Sequence, residues 1–559
     1  MMNFRRLLQY LLMLLTMLFL GAFLLLPVLT VLKSGFDMEL LAETFRSDVY
    51  RSGLWNSLCI AVVTTFIVAV ISIPLALLYD KFDFPGRQWC SLAMLLPMIL
   101  PPFVGALGFQ QILGHYGALN SLLTAVGLER IDFLGGAAGK FWSVCFIEAL
   151  HLYPVFYLNV VTALGNIDPA LNESAANMGA GKWYRFFRIQ LPLLKPGLLA
   201  GGSIVLVWSF TELGTPLMFG YTRVTPVQVF NGLTELETNA MPYALVVIML
   251  AVSALLYVAA RIALGGSRSV TSTKGSIGAS AVKLTSWKKY AVIVPFLLVS
   301  LLAVLPHLAL IGCAFSTRYY GTILPEGFTL IHFENALSNA LVIPSINNSL
   351  RYSLLAMGIA VIVGILVALA SVRWKLRGSG VLDVLSMLPL AIPGIVVAFG
   401  FLGMSVRYSW AKMLFDPIEN PLWLLGIAYA VRRVPYVVRS VVSGLEQTPE
   451  ELENAARNFG AGPLKVLSKI TLPLIGANVL VGGLFAFSFS MLEVSDSLIL
   501  AQKSIFFPIT KALYELSQIL GSGAGSACAF GVWAMLFLAL TLTAAGVILG
   551  RKIGAIFKF

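Results

Sequence analysis

Apolar residues in this chain run in long unbroken stretches, not in the short alternating or amphipathic segments of a soluble protein. Windows of about 20 apolar residues, the length a helix needs to cross a bilayer, fall near 7–32, 54–79, 88–112, 142–163, 196–220 and 241–265. A second set falls near 289–315, 349–372, 380–405, 421–443, 476–501 and 526–550. They predict an all-α membrane protein with about 12 transmembrane helices. Arg5 and Arg6 precede the first run as they would in a secretory leader. That run is longer than a leader's apolar core and no small-residue cleavage site follows it, so it reads as an uncleaved span.

The polar segments between the runs set orientation. With the N-terminus inside, cytoplasmic segments hold roughly twice the Lys and Arg of external ones. Arg373-Trp374-Lys375-Leu376-Arg377 is the sharpest inner cluster, and both termini are expected in the cytoplasm. Residues 266–288 are rich in Ser, Gly, Thr and Lys and lack apolar periodicity. They read as a flexible cytoplasmic linker between a first half, 1–265, and a second, 289–559.

The two halves repeat one another. Asn56-Ser57-Leu58 recurs as Asn348-Ser349-Leu350, and Leu96-Pro97, Pro101 and Gly108-Phe109 recur as Leu388-Pro389, Pro393 and Gly400-Phe401, all displaced by 292 positions. Pro154, Gly201-Gly202 and Glu212 recur as Pro435, Gly482-Gly483 and Glu493, displaced by 281. The shortfall is absorbed in the external loop after the third helix. A repeat this long is a duplicated domain. Six spans per half is an even number, so the halves should be parallel and related by a pseudo-twofold axis along the membrane normal.

Composition fits this picture. Of 559 residues 58% are hydrophobic and 11% charged, with a mean hydropathy of +0.88, too apolar for a water-facing surface. The net charge of +12 is explained by basic inner loops and needs no nucleic acid. Five scattered cysteines and four scattered histidines show no metal-ligand spacing, so no metal centre is expected. Gly135-Gly-Ala-Ala-Gly-Lys140-Phe141 hints at a phosphate-binding loop, but its first glycine is misplaced and Phe141 stands where Ser or Thr must bind magnesium.

Ionisable residues inside spans are costly and mark a pathway or a partner. The fifth helix carries Ser209 and Glu212, and its repeat carries Ser490, Glu493 and Asp496. Each serine lies on the same helical face as its glutamate, and the pseudo-dyad would bring Glu212 and Glu493 toward one axis. The fourth helix carries Glu148 and His151, and His151 corresponds to Arg432, beside Arg433. These residues are candidates for a polar route or gate, or for ion pairs that pin helices together. Nothing among them suggests covalent catalysis. Pro97, Pro101 and Pro102, with Pro389 and Pro393, interrupt the third helices, where freed carbonyls often lie near a transport route.

The most informative segments lie between the fourth and fifth spans, IDPALNESAANMGAGKWYRFFRIQLP at 167–192 and TPEELENAARNFGAGPLKVLSKITLP at 448–473. Each predicts two short helices around a glycine turn. Asp168-Pro169 and Thr448-Pro449 read as N-caps followed by proline, the latter with a capping box to Glu451. Gly179 and Gly460 read as left-handed C-caps. The paired alanines leave one face small.

These loops resemble the EAA coupling loop of bacterial type I ABC importer permeases, EAA-x3-G-x9-I-x-LP. Glu173, Ala175, Ala176, Gly179, Ile189, Leu191 and Pro192 carry it in the first half. Glu453, Ala455, Ala456, Gly460, Ile470, Leu472 and Pro473 carry it in the second. Ser174 replaces an alanine, and Asn454 takes the glutamate position, with Glu453 just before it. The fused layout is most similar to ferric-iron permeases and also resembles those for phosphonate (2-aminoethylphosphonate), thiamine and polyamine. The resemblance implies an inner-membrane transport subunit without an enzymatic site or cofactor of its own. Two ATPase subunits would bind ATP and magnesium at the loops, and a periplasmic or lipid-anchored binding protein would deliver the solute. An ion-coupled secondary transporter would also show parallel repeats, but has no need of two matched docking loops.

Overall fold

The computed structural model describes residues 4–99, 102–235, 239–264, 282–284, 287–519, 521 and 523–549. Pro101 and most of the expected linker 266–288 lie outside them. The apolar runs fold as helices because a backbone in lipid must satisfy its own N–H and C=O groups. In chain order these are α1 (Arg6–Gly35), α2 (Asp48–Lys81), α3 (Arg87–Met98 and Pro102–Ala125), α4 (Gly136–Gly165), α5 (Lys182–Met218) and α6 (Met241–Ala260). The second series is α7 (Lys288–Phe315), α8 (Val342–Trp374), α9 (Ser379–Leu390 and Gly394–Arg407), α10 (Leu422–Gln447), α11 (Pro463–Leu474 and Gly476–Met491) and α12 (Gly523–Ala544).

Among the described residues, eight single helices and three bent pairs are long and apolar enough to cross a membrane. The remaining predicted span forms α10, whose Arg432, Arg433 and Arg439 keep it out of that set. The limbs of α9 meet at 101° around Pro393, and those of α11 at 73° before Gly476. In α9 the proline therefore marks a real break. A lipid-facing stripe is plain on α1, where Leu11, Leu14, Leu15 and Leu18 are exposed at helical spacing.

Two compact units form, and they do not follow chain order. One comprises Arg51–Val227 and Ala251–Leu330, the other Met1–Tyr50, Gln228–Leu250 and Ile331–Ile556. Each half has thus given its first helix to the unit built mainly from the other half. In the first unit, α7 packs on α3, and Phe296 joins Val68, Tyr153, Phe156 and Leu194 in one core. In the second, α1 packs on α9, and Leu20 joins Val363, Val437, Leu445 and Ile475.

The repeated glycines explain how the exchanged helices are seated. A Cβ on Gly108 would lie 1.6 Å from the Pro306 carbonyl oxygen of α7, and one on Gly400 would lie 2.4 Å from that of Pro27 on α1. Only glycine lets these backbones approach so closely. Likewise, Gly201 sits under Phe156 where α5 crosses α4, and Gly482 sits under Val437 where α11 crosses α10.

The Asn-Ser repeat also acquires a role. Asn56 Nδ2 donates to the Arg223 carbonyl at 2.8 Å, and Asn348 Nδ2 donates to that of Ile505 at 2.8 Å. Ser57 Oγ accepts from Thr225 N at 2.9 Å, and Ser349 Oγ from Ile509 N at 2.8 Å. In both units the motif at the start of the second helix holds the segment that follows the fifth.

Candidate functional site

The two loops between the fourth and fifth spans fold alike. Asp168 caps the short helix Pro169–Asn177, its Oδ1 accepting from Ala170 N at 2.9 Å. Gly179 and Gly460 both have φ of +81°, a left-handed conformation that glycine adopts without steric cost. Their amides bond back to Ala176 O and Arg457 O, while Ala180 N and Ala461 N bond to Ala175 O and Ala456 O. Each chain then re-enters its fifth helix through a π-helical turn, Phe186–Gln190 and Leu467–Thr471. Ile189 and Ile470 end half-buried, as do Leu191 and Leu472, while Pro192 and Pro473 are exposed.

One local expectation fails. Thr448 forms no capping box with Glu451, because its hydroxyl donates to the Gly444 carbonyl at 2.9 Å and closes the end of α10 instead. The helix Glu450–Asn458 starts after Pro449 without a side-chain cap.

The loops differ in their acids. Glu173 is exposed, whereas Glu453 is only 3% exposed and turned inward. Arg373 Nε lies 2.9 Å from Glu453 Oε1, and Arg457 Nη2 lies 3.0 Å from its Oε2. Asn454 is exposed and accepts from Arg457 at 2.8 Å. Each loop also presents a bare apolar side chain at the same repeat position, Met178 at 87% exposure and Phe459 at 93%. Ala176 and Ala455 are exposed beside them, with Ala175 and Ala456 half-buried.

Within the spans, Glu212 and Glu493 lie not on regular helix but in the short non-helical breaks after Phe210 and Met491. Around them the halves have diverged. In the second, Glu493 takes both Arg432 and Arg433 of α10, and Arg432 Nη1 also reaches Asp496 Oδ2 at 3.3 Å. Arg433 Nη2 donates to the Phe489 carbonyl at 3.0 Å. The carbonyl of Glu493, freed by the break, accepts from the hydroxyls of Ser497 and Thr510.

In the first half, Leu152 and Thr215 stand where the second has Arg433 and Asp496. Glu148, 2% exposed, accepts from Ser209 Oγ, and Glu212 Oε1 accepts from Thr215 N at 3.3 Å. The serine next to Glu212 in the sequence pattern thus serves the acid on α4. Its counterpart Ser490 has a buried hydroxyl with no hydrogen-bond partner among the described residues. His151 Nδ1 lies 2.9 Å from the Pro97 carbonyl at the break of α3. Its repeat partner Arg432 lies against Gly394 at the break of α9.

Lys140 of the phosphate-loop-like stretch donates to the Gly220 carbonyl at 3.0 Å, a structural use. Among the described residues no group of three or more His, Cys, Asp or Glu side chains could hold a metal ion. Sequence reasoning missed the Arg373 contacts and the Asn-Ser clamps. The repeated Asn-Ser pair was the available signal for the second, and nothing comparable marked the first.

One solved structure of similar fold is that of a bacterial ABC transporter involved in the import of the acidic polysaccharide alginate. It matches at a TM-score of 0.40 and 21% identity, over 46% of this chain and 94% of that one. Among sequence relatives, the ferric transport system permease protein FbpB of Actinobacillus pleuropneumoniae is 24% identical over 517 residues, covering 88% of this chain and 70% of its own length. A probable ABC transporter permease protein, y4fN, of Sinorhizobium fredii is 26% identical over 491 residues, covering 83% of each. The model of binding-protein-dependent transport system inner membrane components matches twice, at residues 72–264 and 360–553. The chain belongs to that family and contains its domain in duplicate.

Proposed function

We propose that this permease is the whole membrane-spanning part of an ATP-driven importer of ferric iron. The observation that carries the reading is the pair of matched loops, each with a left-handed glycine turn and a bare apolar side chain at one repeat position. Exposed Met178 and Phe459 are unfavourable in water, and duplicated patches of this kind suit burial against a partner. Two loops would seat two ATPase subunits, on the cytoplasmic side with both termini. The solute would arrive from a periplasmic or lipid-anchored binding protein on the opposite face.

Ferric iron is supported by the likeness to ferric transport permeases along most of the chain. It is supported too by the first half's intramembrane acids, Glu148 on α4 and Glu212 in the break of α5, with His151 three residues from Glu148 on α4. Glu212, Glu493, Ser209, Ser490, Asp496, Glu148, His151, Arg432 and Arg433 remain the candidates for route and gate. Phosphonate, thiamine and polyamine are the competing solutes.

The test is uptake of radiolabelled ferric iron by cells carrying the chain with its ATPase and binding protein. Uptake is expected to stop when the ATPase's own nucleotide site is disabled. Uptake that survives this and follows an ion gradient would replace the reading with secondary transport. ATP-dependent import of another solute bound by the cognate binding protein would replace only the cargo.

A further inference from the structure

The two coupling loops are alike in backbone but not in how they are fastened. Arg373 ends α8, with its side chain 7% exposed. Its Nε donates to Glu453 at 2.9 Å, while Nη2 donates to the carbonyls of Leu445 at 3.0 Å and Thr448 at 2.7 Å. One planar guanidinium therefore joins three elements: the inner end of α8, the last carbonyls of α10 and the helix Glu450–Asn458. Arginine alone among the side chains offers donors in this fixed fork. Arg457 holds the other oxygen of Glu453, and Lys375, in the left-handed conformation at φ +47°, places its Nζ 3.8 Å from Glu450.

The first half lacks every part of this clamp. The position of Arg373 is taken by Lys81, that of Glu453 by Asn172 and that of Arg457 by Ala176. Lys81 is exposed, with its Nζ 5.3 Å from the centre of the Phe82 ring. Asn172 Oδ1 is buried without a hydrogen-bond partner among the described residues. The bond there is from Arg185 Nη1 to the Asn172 carbonyl at 3.3 Å, which ties the loop to its own continuation.

We propose that Arg373 is a positioning residue that makes the second coupling loop rigid with α8 and α10, leaving the first loop hinged. A push on the second loop would then move α8 and α10 together, while a push on the first is partly absorbed in the loop. The two ATPase subunits would thus act on inequivalent levers. This inference rests on the reading of the loops as ATPase docking sites, but its structural core does not.

The structural core is tested on the purified full chain in detergent by amide hydrogen exchange. Residues 450–458 should exchange more slowly than 169–177. In Arg373→Gln and Glu453→Gln, exchange at 450–458 should quicken by about tenfold or more, because a buried partner is removed. Arg373→Lys, which keeps charge but not the fork, should fall between. Lys81→Gln should change nothing at 169–177. Equal exchange of the two loops in the wild-type chain, or no change at 450–458 in either glutamine variant, would overturn the proposal. If a variant cannot be purified folded, the wild-type comparison and Arg373→Lys still decide.

The coupling claim is tested in the assembled importer. Arg373→Gln should keep its ATPase bound and hydrolysing while more ATP is consumed per ferric ion delivered. A purely supporting side chain would lower yield without moving that ratio, so an unchanged ratio sinks the lever. Failure of the wild-type chain to capture any ATPase would instead sink the docking reading, and the exchange result would stand apart from it.

Discussion

Glu493 accepts from two guanidinium groups inside the membrane, which decides what its neutralisation does. Glu493→Gln leaves Arg432 with Asp496, and removes the carboxylate that Arg433 also meets. Breaking a buried pair by removing one partner costs about 3–5 kcal/mol, so the melting temperature of the solubilised chain should fall clearly. Glu212→Gln is the contrast, since an amide oxygen still accepts from Thr215 N. Its melting should fall less than that of Glu493→Gln, which loses two arginine partners, and a loss of uptake larger than that fall reports a place on the route. Equal loss of melting in both variants would contradict this division. The sequence showed which intramembrane residues were unusual, because charge in an apolar run is conspicuous. It could not show their pairing, because spacing along α11 says nothing about which side chains α10 brings alongside. Nor did it show that both glutamates sit in helix breaks, where backbone and side chain compete for partners.

At the scale of elements, glycine does two jobs here that substitution separates. At Gly179 and Gly460 the constraint is backbone conformation, for no atom lies within 4 Å of an added Cβ. Gly179→Asp or Gly460→Asp should therefore cost only about 1–2 kcal/mol of strain and leave the chain inserted. Capture of the ATPase in a pull-down should nevertheless weaken, since the turn presents Met178 or Phe459. Normal capture with normal uptake would remove the loops from the mechanism. At Gly108 and Gly400 the constraint is space, because a methyl group would meet the backbone of the exchanged helix. Gly108→Ala and Gly400→Ala should cost about 1–3 kcal/mol by overpacking, read as lowered thermal stability without any prior effect on ATPase capture. Helix positions and the break of α9 at Pro393 were legible because apolar length and proline act locally. The Thr448 capping box was misread because a threonine hydroxyl can bond backward to its own helix as readily as forward to the next one.

For the whole molecule, duplication was legible because constant displacements of 292 and 281 survive in the sequence. The exchange of α1 and α7 was not, since a repeat shows which segments correspond and is silent on which of them pack together. That exchange has a consequence for assembly. Each compact unit draws residues from both halves, so neither half carries a complete core. Residues 1–265 expressed alone should leave α1 without α9 and α3 without α7, and should be degraded or aggregate. Co-expression with 289–559 should restore a complex, since the break falls in the expected linker. Recovery of a stable, monodisperse 1–265 fragment by itself would show that the exchange is dispensable. If both loops dock an ATPase as proposed, native mass measurement of the importer should find one copy of this chain with two ATPase subunits. Two copies of this chain per ATPase pair would refute the reading that a single chain supplies both halves of the translocation unit.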